Sequence, residues 1–157
     1  QAIHRIDYET SGLVLFCKHP FFQAYCDKNM EEHHIKKDYI ALVQGHTNYK
    51  NKKIVSNIAR DRHNAKKMIV HPNGKESISI FNTLKNYKDC SLIQVTILTG
   101  RKHQIRVQCA SLNHPILNDP LYGGKRIDNT GLLLQSHHIQ FNDIDITCPQ
   151  EKRFIRK

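Results

Sequence analysis

The chain has 157 residues and a mass of 18.3 kDa, with 39% hydrophobic and 24% charged residues, enough to bury one sizeable core and short for two. Lysine and arginine number 24 against 14 acidic residues, a formal charge of +10 that points to a polyanionic partner before any histidine is protonated. No apolar run approaches the roughly 20 residues of a membrane-spanning helix, so no membrane partner is expected. The five scattered cysteines form no CxxC pair, which argues against a disulfide framework or a zinc ribbon. With no secretory h-region and no N-x-Ser/Thr sequon, a reducing, cytoplasmic compartment is expected.

In chain order, Leu13 to Cys17 reads as a buried strand. After His19-Pro20, the stretch Phe21 to His34 reads as a helix, with apolar Phe22, Cys26 and Met30 four apart. Tyr39 to Val43 predicts a second strand stopped by Gly45. Lys53 to Ala59 and Lys67 to Val70 predict shorter ones around a Lys/Asn-rich loop, and His71-Pro72-Asn73-Gly74 a turn. Glu76 to Leu84 and Ser91 to Leu98 read as an antiparallel pair. After Thr99-Gly100 the period changes. Ile105, Cys109 and Leu112 recur at i, i+4 and i+7, the apolar face of a helix of about three turns. A Pro/Asp/Gly-rich loop covers Pro115 to Gly124, Leu132 to Phe141 and Ile144 to Thr147 read as strands, and a basic tail runs from Lys152 to Lys157. The class expected is α+β, one domain over 1–157, with a mixed and largely antiparallel sheet flanked by helices.

Three constellations carry chemistry. His4-Arg5-Ile6-Asp7 puts a cation and a carboxylate two residues apart, on one side of an extended chain, and Thr10-Ser11-Gly12 can turn the chain sharply and hold Asp7 in place. The bland alternative is an exposed Arg/Asp pair in a turn. Thr99 to Arg106 opens a helix and gathers three cations, an imidazole and an amide, a setting suited to phosphate. On that helix His103, Arg106 and Ala110 share a face opposite the apolar stripe, so Arg106 can project toward a cleft; the alternative is a solvated basic face. Lys37-Asp38-Tyr39 sets a phenol among strand hydrophobes, where a core role is the ordinary one. The pairs His33-His34 and His137-His138 lack metal-ligand spacing, so no metal is expected, and no phosphate-loop, dinucleotide or nucleophile-elbow motif occurs.

His4-Arg5-Ile6-Asp7 with Thr10-Ser11-Gly12, Lys37 to Ala41 with Val43 and Gly45, Thr99-Gly100-Arg101 with His103 to Val107, and His114 to Leu117 with Asp119 to Gly124 resemble, in order, the motifs of the RluA family of RNA pseudouridine synthases. Leu132 to Leu134 with Phe141 resembles the family's closing strand. The departures are Asn118 where the family usually has Gly, Gln108 where His is common, and Asn142-Asp143 where His-Pro is frequent. Family members have several strands ahead of the Asp motif, which here begins at residue 4; the resemblance therefore implies a catalytic domain lacking its N-terminal part.

What the resemblance implies is an isomerase that converts uridine in rRNA or tRNA to pseudouridine without metal or organic cofactor. It implies the family's sheet with a central RNA-binding cleft, and a monomer is expected. Asp7 is the implied essential carboxylate, as nucleophile or base; Arg106 its basic partner, able to bind it bidentately; Tyr39 the residue that stacks on the target base. Arg5 resembles the residue that fills the space of a flipped-out base. Arg101, Lys102, His103, Gln104 and the lysines Lys52, Lys53, Lys66 and Lys67 are expected to meet the RNA, largely at its phosphates. Two other readings remain: an RNA-binding fragment without catalysis, and a basic domain that binds polyanions indifferently, which would ignore Asp7→Asn.

Overall fold

A computed structural model describes residues 1–156. One eight-stranded sheet organises it, with strands β1 (Ser11–Gly12), β2 (Lys36–Gln44), β3 (Lys52–Arg60), β4 (Met68–Val70), β5 (Lys75–Asn86), β6 (Cys90–Ile97), β7 (Leu134–Phe141) and β8 (Ile144–Thr147). The order across it is β1-β7-β2-β6-β5-β3-β4, with β8 on β7. Every pairing is antiparallel except β1 with β7. Among the described residues there are two α-helices, α1 (Pro20–Glu31) and α2 (Gln104–Ser111), and two short 3-10 turns at Pro120–Tyr122 and Lys152–Phe154. This is the expected α+β class.

The centre of the sheet is where the sequence is least alternating. Residues 37–43 of β2 are all buried, as a strand covered on both faces must be, and Ile40, Leu42, Ile93, Val95 and Phe81 are the tightest part of the core. Register then sets the two faces. Tyr39 opposes Val95 and Ser136, while Lys37 opposes Ile97 and Ile139, and Ile97 in turn opposes Ser79. Directly paired residues share a face, so Lys37, Tyr39, Ile97, Ser79 and Ile139 lie on one side of the sheet. Both helices cover that side. Met30 and Cys26 of α1 pack with Ile139 and Phe141, and Gln104 at the start of α2 bonds Ser79 Oγ at 2.8 Å.

Between the helices the ladder carries a bulge: Asp38 opposes His138 but Tyr39 opposes Ser136, leaving His137 extra on β7. Bulges re-aim side chains, and this one falls beside the residue expected to stack on a base. On the opposite face His138 is held at 2.8 Å by both Asp38 and Asp145, so the end of β8 is pinned to the centre of the sheet.

Several elements differ from the reading of the sequence. Leu13 to Cys17 is not a buried strand. It is a half-buried extended segment whose Leu13 N–H reaches the Ser136 carbonyl at 3.0 Å and whose later part bridges the first three residues through Ala2 and Phe16. Only Ser11–Gly12 joins the sheet, because Gly12 approaches Ser136 so closely that a Cβ would sit 2.1 Å from its carbonyl oxygen. Helix α1 stops at Glu31, three residues short of the expectation, since His33 turns left-handed (φ 60°). Helix α2 has eight residues, nearer two turns than three, and Asn113 with φ 63° follows its end. The basic tail is not a free tail either. Arg153 donates to the carbonyls of Thr130 and Leu132 at 2.8 and 3.1 Å, and Phe154 is fully buried.

Candidate active site

A cleft of about 1280 Å³ lies over the covered face of β2, walled by the N-terminal segment, the end of α1 and the start of α2. It gathers Arg5, Asp7, Tyr39, Arg101, Lys102, His103, Gln104 and Arg106, the residues singled out in the sequence from three separate motifs. Their sequence separation is closed by the sheet, which carries Tyr39, and by the two loops that flank it.

Asp7 sits in a tight turn. Its carbonyl accepts the Thr10 N–H at 2.9 Å, and Ser11 Oγ is held by Arg153 Nη2 at 2.7 Å and by Glu151. The pinned loop read from Thr10-Ser11-Gly12 is therefore present, with its anchor supplied by the C-terminal segment. Asp7 is a quarter exposed and faces Arg106 Nη1 at 3.9 Å. Upstream, His4 accepts the Leu15 N–H through Nε2 at 3.1 Å, and burial with the nearby Lys37 charge pushes its pKa down to about 4, so it stays neutral.

Arg106 corrects one expectation. It does not bind Asp7 bidentately. Its fork closes on Asp119, with Nε donating to Oδ2 at 2.7 Å and Nη2 to Oδ1 at 2.8 Å, while Glu9 stands 3.9 Å from Nη2. The guanidinium also lies over the Tyr122 ring at 5.0 Å. Burial works against its charge, and the hydrogen bonds and charge of Asp119, helped by Asp7, outweigh that, so Arg106 holds its proton more tightly than usual. The result is a cation fixed on two sides with one nitrogen left for Asp7.

The residues beside it divide into those facing the open cleft and those spent inside the protein. Tyr39 is buried, with its ring at the cleft and its pKa pushed up to about 12 by burial. Arg5 and Lys102 are exposed, as is Arg101, whose Nε donates to the Glu76 carbonyl at 3.1 Å. Gln104 is a second correction. Its amide takes Thr99 Oγ1 and Arg101 N at 2.9 and 3.0 Å and donates to Ile78 O and Ser79 Oγ, so it is a brace for the loop rather than a contact for RNA. His103 lies ahead of α2 in a left-handed conformation (φ 54°), off the helical face expected for it. Its Nδ1 is 2.7 Å from the Tyr122 hydroxyl, which accepts the Met68 N–H at 2.9 Å and so has its proton to offer. Burial lowers the pKa of His103, with Asp7 pulling the other way. Of the four lysines, Lys66 lines the cleft and Lys67 lies 5.7 Å from the Tyr122 ring, whereas Lys52 and Lys53 begin β3 and do not line it.

Asp119 and Tyr122 lie in the fourth motif and meet Arg106 only in the fold. A buried carboxylate must find a cation, and that was the available signal; which cation only the fold could say. Asn118 shows why this loop departs from Gly without harm. It adopts φ 61°, which Asn tolerates, and its side chain binds Asp128, the Gly131 carbonyl and the Ile127 N–H. Among the described residues no group of three His, Cys, Asp or Glu side chains could hold a metal, and no helix is long and apolar enough to cross a membrane.

Residues 1–111 match the RNA pseudouridylate synthase family, and the chain belongs to it. Among curated proteins it is 40% identical over 124 residues to YhcT of Bacillus subtilis, described as an uncharacterised RNA pseudouridine synthase, covering 78% of this chain and 41% of that protein. It is 40% identical over 168 residues to ribosomal large subunit pseudouridine synthase C of Buchnera aphidicola, covering 97% of this chain and 53% of the other. The chain thus spans about half the length of the curated relatives it matches. Its fold is that of human RNA pseudouridylate synthase domain containing 1, with a TM-score of 0.85 at 23% identity over 96% of this chain and 69% of that one.

Proposed function

We propose that this chain carries the catalytic site of an RNA pseudouridine synthase and isomerises uridine in RNA to pseudouridine. The observation that carries the reading is the meeting of Asp7, Arg106 and Tyr39 in one cleft, with Asp7 and the Arg106 guanidinium 3.9 Å apart. The reaction breaks the N1–C1′ bond, turns the uracil and joins C5 to C1′; the C5 proton leaves and N1 gains one. Asp7 is the group able to act at the sugar, as a nucleophile on C1′ or as a base. Arg106 keeps a positive charge against it without engulfing it, since its fork is committed to Asp119. Tyr39 offers its ring to the uracil, and with its hydroxyl neutral far above physiological pH that group serves as a hydrogen-bonding partner and as an acceptor for a proton only in concert with its own loss.

A uridine inside a stacked helix exposes neither C1′ nor C5, so the target must leave the stack at a cost of a few kcal/mol. Arg5, exposed two residues ahead of Asp7, is suited to fill the vacated space. The homologue named for the ribosomal large subunit favours ribosomal RNA as substrate. The test is tritium release from RNA labelled at uridine C5. Release by this chain, abolished in Asp7→Asn with RNA binding kept, is the expected result; RNA binding without release by the parent chain would overturn the catalytic reading and leave a binding module.

A further inference from the structure

Lys37 is the buried charge that the proposed reaction leaves unused. It stands on β2 two residues before Tyr39, on the same face, and is 6% exposed. Its ammonium donates to Met30 Sδ at 3.0 Å, a weak acceptor, and makes no ion pair among the described residues. Its neighbour Lys36, half exposed, does have a carboxylate, Asp38 at 3.4 Å on the other face. A buried cation without a counter-charge is costly, by several kcal/mol even after relaxation. Burial accordingly pulls the Lys37 pKa down to about 8, and its charge helps to hold His4 neutral.

The side chain lines the same cleft as Asp7, Arg5 and Tyr39. Two residues along a strand are about 6.6 Å, so a nucleotide with its base on the Tyr39 ring brings a flanking phosphate within reach of a lysine at position 37. We propose that Lys37 is a phosphate-binding residue of the cleft, taking the backbone phosphate beside the target uridine and gaining from it the counter-charge that the protein withholds. This rests on the RNA reading above. It differs from the contacts expected of Arg5 and Lys102, which are hydrated in the free protein; Lys37 is already stripped of water, so its contact is made in a low-dielectric setting and fixes the strand at one place.

The titratable and charged groups that line the cleft with it are His4, Arg5, Asp7, Tyr8 and Glu9 on the N-terminal segment, Glu31 and His33 at the end of α1, Tyr39 on β2, Lys66 on the β3–β4 loop, and Arg101, Lys102, His103 and Arg106 around the start of α2; Ile97 and Ile139, paired with it across the sheet, carry none. His4 and Tyr39, at about 4 and about 12, do not change charge near pH 8. The test is fluorescence anisotropy of a short, end-labelled oligouridylate with the parent chain, Lys37→Met and Lys37→Arg, across salt concentration and between about pH 7 and pH 9. The parent chain should lose affinity by up to about tenfold per pH unit above about 8, as the free ammonium loses its proton. Lys37→Arg should bind without that fall. Lys37→Met should bind about tenfold more weakly or worse at neutral pH, with a salt slope shallower by about 0.7. Lys37→Met binding with the parent's affinity and slope, or Lys37→Arg keeping the parent's pH dependence, would overturn the assignment while leaving the RNA reading intact. Failure of the parent chain to bind the RNA at all would overturn both.

Discussion

Arg106 shows how much of a site hangs on one residue's hydrogen-bond geometry. In the proposed reaction its charge belongs near Asp7, where a free guanidinium would collapse onto that carboxylate and occupy the oxygens proposed to act at the sugar. Asp119 prevents this by taking Nε and Nη2. Replacing it by Asn keeps the shape and removes the charge, leaving a buried cation half satisfied. Asp119→Asn is expected to cost roughly 3–5 kcal/mol of stability, read by urea unfolding, and to lower tritium release at temperatures where the variant is folded. A stability change within error would show that Arg106 is not dependent on this pair. The sequence displayed Asp119, Arg106 and Asp7 separately, 13 residues or more apart, and the family resemblance implied Asp7 as the partner that Arg106 could bind bidentately. The pairing of the fork with Asp119 was decided by the loop that folds back beside α2.

At the scale of elements, two connections depend on single residues. The loop bearing Asp119 closes through Gly124, where a Cβ would stand 1.8 Å from the Ile116 carbonyl oxygen. Gly124→Ala must push the loop away from the strand-like segment at Ile116, an expected loss of about 1–3 kcal/mol seen as a lower melting temperature. The β7–β8 hairpin is the other. Hydrogen bonds to Asp145 and then Asp38 raise the pKa of His138 above its usual 6.5. A raised folded-state pKa means that this stabilisation is complete below about 6.5 and is lost as pH climbs through the raised value. His138→Gln should therefore lose most stability relative to the parent chain on the acid side, with the gap narrowing as pH rises; a gap that is constant in unfolding curves taken across the range would refute the charged pairing. The periodicity of the sequence placed β5, β6, β7 and β8 within a few residues, because alternating and buried runs are local patterns. It failed at Leu13 to Cys17, where an apolar run of strand-like composition keeps one bond to the sheet, from Leu13 to Ser136, and otherwise meets the N-terminal residues.

Over the whole molecule the net charge of +10 is unevenly used. Lys66, Arg5, Arg101 and Lys102 border the cleft, whereas Lys52 and Lys53 lie outside it. If phosphates are neutralised at the cleft, the logarithm of affinity for single-stranded RNA should fall with the logarithm of salt at about 0.7 per contact. Lys102→Ala is then expected to make that slope shallower by about one contact, and Lys53→Ala to leave it unchanged, both measured by anisotropy titrations. Equal effects of the two would mean that the chain binds polyanions over its whole surface rather than in the cleft.

The sequence by itself determined the class of the fold, most of the strands and the family, and it singled out Asp7, Tyr39 and Arg106, which line one cleft, because hydrophobic period and contiguous motifs are written in neighbouring residues. The tertiary structure alone decided who holds whom. Asp119 in the grip of Arg106, Gln104 turned inward as a brace, Arg153 anchoring the Asp7 turn from the far end of the chain, and Lys37 held by Met30 of α1 instead of a carboxylate all join residues from different elements. Such partnerships depend on register and on the bulge at Asp38/Tyr39, which bring distant side chains within a few ångströms, and no local pattern in the sequence encodes those distances.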